Sequence, residues 1–364
     1  MKIILENIIF SIQKIGGISV VWFELVKRLN LDNDFDVKFI EYKNFEKNLL
    51  RNSIEIDSKK LMKLNKLFFN FRRYFNPEIN YHQPYIFHSS SYRISKNKNA
   101  INFITVHDFL YFKNDWQGYK IWLIRKTHQF QMKRAIKNAS FLICISNSTK
   151  NDLINYFPEI ELKKIKVIYN GVSDDYYPII DIDVSTKSRF NKNDYCIFVG
   201  SRSNYKNFKF VVESLSILNK NLLIIGKQLS ENEAKFVESY LETNQFEVMS
   251  NVSNSELNLL YNSAICLIYP SSFEGFGIPI IEAQKAGCPV IAYNKSSIPE
   301  VIGDTPLLIN ELTIDNLNYC FKLLENEITK NQIIQQGLKN AERFSWDKMY
   351  TEIKKIYKEA TQNK

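Results

Sequence analysis

Glu274 and Glu282 stand eight positions apart in PSSFEGFGIPIIEAQKAGCPVIAYNKSSIPE, residues 270–300, on either side of a Gly-Phe-Gly-Ile-Pro turn. An ionised carboxylate only accepts hydrogen bonds, so such a pair suits the vicinal hydroxyls of a ribose or hexose. A plainer reading is also open: Glu282 as a helix-start acid favoured by the macrodipole and Glu274 as a solvated loop residue. Arg202 and Lys206, in GSRSNYKNF, form a second group. Cations at a helix start oppose its dipole, which is easier to understand if both serve a shared anion such as a pyrophosphate.

The elements that must position the glutamates form a strand–loop–helix–strand unit. Ala264–Tyr269 is a short apolar run suited to a buried strand, IPIIEAQKAG is a compact helical pattern, and Cys288–Tyr293 is a second strand. Pro279 fits the first helical turn and Gly287 the stop, which places Glu274 in the loop and Glu282 in the first turn. Loops of this kind open at the carboxyl edge of a parallel sheet, where glycines let backbone N–H groups approach a ligand. Arg202 and Lys206 fall between a strand at Tyr195–Gly200 and a helix over Lys209–Leu218.

The amino-terminal half repeats the pattern. Ile3–Phe10 reads as a first strand, and Gly16 and Gly17 precede the amphipathic run Val20–Leu29. That glycine pair could admit a phosphate or sugar to the backbone, although on the residues alone a simple tight turn is the commoner explanation. Ile101–Val106 ends at His107-Asp108, so a histidine sits at a strand's carboxyl end, as a polar ligand group or a satisfied structural histidine. Phe141–Ser146 is another strand, with Ser148 available to cap the next helix. In the second half, Leu222–Gly226 supplies the strand after Tyr195–Gly200, and Asn254–Asn262 a capped helix leading to the acidic motif.

Residues 270–300 resemble the signature of the retaining glycosyltransferases of family 4. The resemblance extends over nearly the whole chain and implies an α/β fold of two facing Rossmann-like domains (GT-B) with an interdomain cleft. In that family the first acid of Glu-x7-Glu contacts the donor sugar and the second the nucleotide ribose, roles that fall on Glu274 and Glu282. Gly275, Phe276, Gly277 and Ile278 match backbone lining the sugar and diphosphate, and Ser296–Glu300 (SSIPE) a recurrent flanking segment. The resemblance further implies a donor-contacting loop at Gly16-Gly17, a histidine facing the reacting centre at His107, and a diphosphate-neutralising pair at Arg202 and Lys206. Lys206 matches its motif well, whereas Gly-Ser-Arg replaces the usual Gly-Arg order at Arg202.

The boundaries that follow are 1–172 for an acceptor domain, 173–194 for a linker, 195–344 for a donor domain and 345–364 for a helix returning to the first domain. That last helix carries Trp346, Met349, Ile353 and Ile356 as apolar anchors. The activity implied is metal-independent transfer of a hexosyl unit from a nucleoside-diphosphate sugar, with no cofactor. HSSSYR, TVHDF, VGSR and YKNF resemble bacterial polysaccharide mannosyltransferases, so GDP-mannose is the first expectation, with a lipid-linked or growing surface glycan as acceptor.

Composition bounds the same answer. The chain has 364 residues, enough for two cores, and a net charge of +9. Residues 1–150 hold 25 Lys+Arg against 12 Asp+Glu, whereas residues 151–364 hold 23 against 27. This asymmetry favours an anionic partner for the first domain. A membrane surface fits better than nucleic acid, because no nucleic-acid reading motif accompanies the charge. Leu61–Phe75 mixes Lys63, Lys66, Arg72 and Arg73 with four phenylalanines, as an interfacial helix or as one packed internally. The Asp181-x-Asp183 pair lies in the polar linker and reads as solvated loop acids rather than a metal site. Five scattered cysteines read as core residues. Neither a secretory signal nor an eighteen-residue apolar run is evident, so the expected location is the cytoplasm, with peripheral attachment to the inner face of the plasma membrane. Two rival readings are an inert sugar-nucleotide-binding protein and a basic peripheral membrane module.

Overall fold

The computed structural model describes residues 2–63, 75–113, 119–179 and 188–362. It divides the chain into two units, Met1–Gly171 with Trp346–Lys364, and Val172–Ser345. Most of the basic-aromatic stretch after Lys63 and the Asp181-x-Asp183 pair lie outside the described residues.

The first unit is built on seven strands: β1 (Lys2–Glu6), β2 (Asp36–Glu41), β3 (Leu61–Lys63), β4 (Tyr85–Ser89), β5 (Ala100–Val106), β6 (Phe141–Cys144) and β7 (Ile165–Val167). Their order is β3-β2-β1-β4-β5-β6-β7 and every pairing is parallel. Strands such as KIILE and YIFHS are buried along almost their whole length, as expected where helices cover both faces of a sheet. The strand order reverses between β1 and β4, which creates a crevice at the carboxyl ends of those two strands.

The second unit holds β8 (Tyr195–Val199), β9 (Asn221–Ile225), β10 (Phe246–Met249), β11 (Cys266–Tyr269), β12 (Val290–Tyr293) and β13 (Leu308–Ile309). Their order is β10-β9-β8-β11-β12-β13, again all parallel. Here the reversal falls between β8 and β11, and the loops leaving those strands carry Lys206 and Glu274. All five cysteines are free and buried, with the Cys196 and Cys266 thiols 3.9 Å apart on neighbouring strands.

Several local expectations change. The run expected as one strand over Ile3–Phe10 is β1 followed by a short helix, Ile8–Ile12. An apolar run of that length suits either state, and tertiary contacts decide it. Asn7 ends the strand because its side chain donates to Glu41 and accepts from the Trp22 indole at 2.8 Å. The helix after β6 is Asn147–Tyr156, capped by Ser146 rather than Ser148: the Ser146 hydroxyl accepts from the Thr149 amide at 3.0 Å. Leu61–Lys63 opens the basic-aromatic stretch as strand β3, not as helix. The first part of the expected linker belongs to the second unit, since the amides of Tyr177 and Ile179 donate to Asn258 and Asn262.

The carboxyl-terminal helix, Trp346–Gln362, packs on the first unit as the family resemblance implies, burying the four expected anchors Trp346, Met349, Ile353 and Ile356 together with Tyr357 and Ala360. Lys354 bridges Asp32 and Asp34 at 2.6 and 2.9 Å, and Arg28 pairs with Asp347 at 2.7 Å. In the interior the Tyr357 hydroxyl meets His88 Nδ1 at 2.5 Å, while His88 Nε2 faces the Thr105 hydroxyl at 2.9 Å. Burial pushes the His88 pKa down to about 3, so the ring stays neutral at neutral pH. Tyr357→Phe leaves one buried ring nitrogen without a partner, and we expect it to lower unfolding stability by about 1–3 kcal/mol. Urea denaturation checks this, and an unchanged midpoint would show that the contact contributes nothing.

Candidate functional site

The loops after β8 and β11 are neighbours because their strands pair, Cys196 opposite Cys266. Three hydrogen bonds stitch them together. The Ser272 amide donates to the Tyr205 carbonyl at 2.7 Å, and the Asn207 side chain donates to the Pro270 carbonyl and the Ser272 hydroxyl, both at 2.7 Å. Asn207 adopts φ +51°, a left-handed conformation that asparagine tolerates better than most residues, and so starts the helix Phe208–Ile217.

This stitching delivers Lys206 to Glu274. The two form an ion pair, both largely buried, and Lys206 Nζ also donates to the Tyr269 hydroxyl at 3.2 Å. The ammonium lies 4.9 Å from the centre of the Tyr269 ring and 5.6 Å from that of Tyr205, an aromatic cradle for a cation. The Glu274 and Phe276 carbonyls accept hydrogen bonds from Ser296 and Ser297 at 2.7 to 3.0 Å. The SSIPE segment is therefore a clamp on the backbone of the acidic loop.

Gly277 closes that loop at φ +107°, where a Cβ would lie 3.1 Å from Ile280 Cδ1. It caps the helix Ile278–Lys285, with Pro279 in the first turn and Gly287 just past the end. Glu282 lies in the second turn of this helix rather than the first. Its half-buried carboxylate is enclosed by the buried Tyr176 and Tyr261, the latter hydroxyl 3.5 Å from Oε2. Desolvation pushes its pKa up to about 7 against the opposing hydrogen bonds of the two tyrosines. Glu274 and Glu282 thus have separate surroundings, one basic and one phenolic.

Arg202 is placed differently from Lys206. Its guanidinium forms a two-pronged pair with Glu233 at 2.8 and 3.3 Å and donates to the carbonyls of Lys227 and Gln228 at 3.0 Å. Arg202 lowers the Glu233 pKa to about 2. In this arrangement Arg202 ties the loops after β8 and β9 together and does not share an anion with Lys206.

In the first unit, His107 follows β5 and lines a narrow, mostly apolar cavity with Trp22, Thr105, Asn170 and Met349. Burial pushes its pKa down to about 4, which leaves a neutral ring able to donate from one nitrogen and accept at the other. Asp108 orients the loop by accepting from the Leu110 amide at 2.8 Å. Gly16 caps the helix Gly17–Leu31, with Ser19 closing the turn at 2.9 and 2.8 Å. A Cβ on Gly17 would meet nothing within 4 Å, so packing does not require glycine there. The carboxyl ends of β1 and β4 hold a buried pair, Glu6 with Arg93 at 2.7 Å, joined by Ser89 and Tyr42. Sequence reasoning did not single out this pair, nor Tyr176, Tyr261 and Tyr269, because each partner lies far along the chain. Among the described residues no cluster of His, Cys, Asp and Glu could hold a metal ion, and no helix is long and apolar enough to cross a membrane.

Two family models match in tandem, Glycosyltransferase Family 4 over residues 15–176 and Glycosyl transferases group 1 over residues 181–340. The chain belongs to glycosyltransferase family 4. As a member it is a retaining glycosyltransferase of GT-B fold that transfers a sugar from a nucleotide sugar. It is 25% identical over 239 residues to O-antigen chain mannosyltransferase B of Escherichia coli, a match spanning 62% of each chain. It is 25% identical to an uncharacterized glycosyltransferase of Methanocaldococcus jannaschii over 99% of this chain and 98% of that one. Among solved structures, sucrose-phosphate synthase of Thermosynechococcus elongatus superposes with a TM-score of 0.76 at 14% identity, covering both chains fully. Anabaena HepE, in complex with UDP-glucose, gives 0.71 at 16% identity, covering 99% of this chain and 100% of that chain. These two likenesses concern the fold of the family 4 enzyme alone.

Proposed function

We propose that this family 4 enzyme passes a hexosyl unit, with GDP-mannose as first candidate donor, to a hydroxyl of a lipid-linked or growing surface glycan. The observation that carries the reading is the Lys206–Glu274 pair at the strand-order reversal of the second sheet, set in loops whose backbone is fixed by Asn207, Ser296 and Ser297. Before donor arrives, Glu274 neutralises Lys206. A diphosphate then takes over the ammonium and frees the Glu274 carboxylate to accept from sugar hydroxyls.

Glu282 accepts from the ribose, and the backbone at Gly275, Phe276, Gly277 and Ile278 lines the sugar and diphosphate. Gly16 and Gly17 admit the donor sugar to the helix start, which the open space at Gly17 supports. The neutral His107 hydrogen-bonds a sugar hydroxyl. Arg202 adds a second cation. The acceptor oxygen bonds to the anomeric carbon as its bond to the diphosphate breaks, and the acceptor proton passes to the departing oxygen. No nucleophile of the enzyme and no metal ion takes part in this scheme.

Support for mannose comes from relatives 25–29% identical that are named O-antigen mannosyltransferases, over 56 to 62% of their own length. We expect the first unit to be served by an anionic membrane surface. A thermal-shift screen of GDP-, UDP-, dTDP- and ADP-sugars with and without EDTA tests the donor. We expect GDP-mannose to raise the melting temperature in both conditions. A response only to UDP-sugars would replace the donor, and one abolished by EDTA would contradict metal independence.

A further inference from the structure

We infer that the solvent face of the helix Tyr119–Lys137 is a docking surface for an anionic phospholipid bilayer. From Trp122 to Lys137 the sequence WLIRKTHQFQMKRAIK contains no acid. At 100° per residue, Trp122, Leu123 and Phe130 share one side with Lys126, Lys133 and Lys137. These residues are exposed, Phe130 to 65% and Trp122 to 47%. Over its later turns the opposite side is occupied, with Met132, Ala135 and Ile136 buried in the core beside Leu142 and Phe157, whereas Ile124 near the start is exposed. Arg125 and Gln129 anchor that side by donating to the Tyr111 carbonyl at 2.9 and 2.7 Å. The inward side therefore holds the helix, and the outward aromatics and lysines stay exposed.

Charge complementarity selects the occupant. The pattern of large apolar groups among lysines, with Lys126 lying 5.9 Å from the Trp122 ring, suits the headgroup level of a bilayer, where rings enter the acyl boundary and ammonium groups stay among phosphates. A cavity of about 440 Å³ abuts the same helix through Arg134 and Asn138, and its wall includes Lys96, Lys98, Asn76 and Asn97. Arg134 Nε and Asn76 Nδ2 are buried donors with no hydrogen-bond partner among the described residues. Cations and amides without an acid in that wall form a receptor for headgroup phosphate. The surface deepens the proposed acceptor, since a bilayer is where a lipid-linked glycan resides, and in that respect it rests on the transfer reading.

The test uses the full chain with phosphatidylcholine vesicles, with and without phosphatidylglycerol. We expect co-sedimentation only with phosphatidylglycerol present, weakening with salt, and quenching of tryptophan emission by brominated acyl chains that the serine variant below loses. W122S/L123S/F130S and K126E/K133E/K137E should each bind about tenfold or more weakly while keeping the wild-type melting temperature and nucleotide-sugar response. Wild-type protein that ignores the anionic vesicles, or variants that bind them equally well, would overturn the inference. So would a wild-type dimer in analytical ultracentrifugation that the serine variant dissolves, which would assign this face to a second copy. Vesicle binding lost in both variants, with no nucleotide sugar bound even by wild type, would uphold the surface and count against the transfer reading alone.

Discussion

Lys206→Ala is expected to lower sugar transfer about 10²–10³-fold, the magnitude seen when one preorganised group facing developing charge is removed. With Glu274 passed to the sugar, the lysine stays fixed by the Tyr269 hydroxyl and two aromatic rings, so little reorganisation is needed when negative charge grows on the departing diphosphate. Glu274→Gln is expected to lower transfer comparably, because the amide keeps the shape but adds donors where sugar hydroxyls must donate. The two residues act as one unit, so the double variant should fall well short of the product of the single losses. Steady-state kinetics on the four proteins, each checked for wild-type melting, gives the coupling. Strictly additive losses would mean that the pair does not exchange partners when donor binds.

A second large effect is expected at Glu282. Its carboxyl is held up to about 7 by desolvation, so it is mostly protonated at pH 6 and mostly ionised at pH 8. Only the ionised form accepts with both oxygens, so affinity for a nucleoside diphosphate should rise through this window. E282Q should bind about 10–100-fold more weakly at pH 8 and lose the pH dependence. Stability moves the other way. Below pH 4.5 both folded and unfolded states carry the proton; between 4.5 and about 7 only the folded state keeps it, so stability falls as pH rises, by about 3 kcal/mol at pH 8. E282Q removes that loss and should be more stable than wild type at pH 8. Calorimetric titration and urea denaturation at pH 6 and 8 read both effects. A pH-independent wild type would show that Glu282 does not titrate in this range.

The second unit was readable from local chemistry. Its strands are short apolar runs, and Pro279 and Gly287 mark the helix that follows the acidic loop as the residue types require. Lys206 and Glu274 stand 68 positions apart, yet both lie at strand-to-helix turns, so a parallel sheet brings them together whenever β8 and β11 pair. What the chain did not disclose is partner choice. Arg202 and Lys206 look alike at the start of one helix, but only Arg202 has Glu233, contributed from beyond the next strand. Tyr176 and Tyr261 shape the ionisation of Glu282 from a connecting segment and another helix, where no spacing signals them. In the first unit, Ile8–Ile12 is as apolar as a strand, and it forms a helix where Asn7 bonds Glu41 and Trp22 and the Ile9 amide donates to Ser90.

A crystal structure of the enzyme with GDP-mannose bound decides whether the loops after β8 and β11 hold the donor. Diphosphate oxygens are expected about 3 Å from Lys206 Nζ, with ribose hydroxyls on Glu282 and the hexose on Glu274. A nucleotide sugar seated away from the loops after β8 and β11, with Lys206 still paired to Glu274, would contradict it.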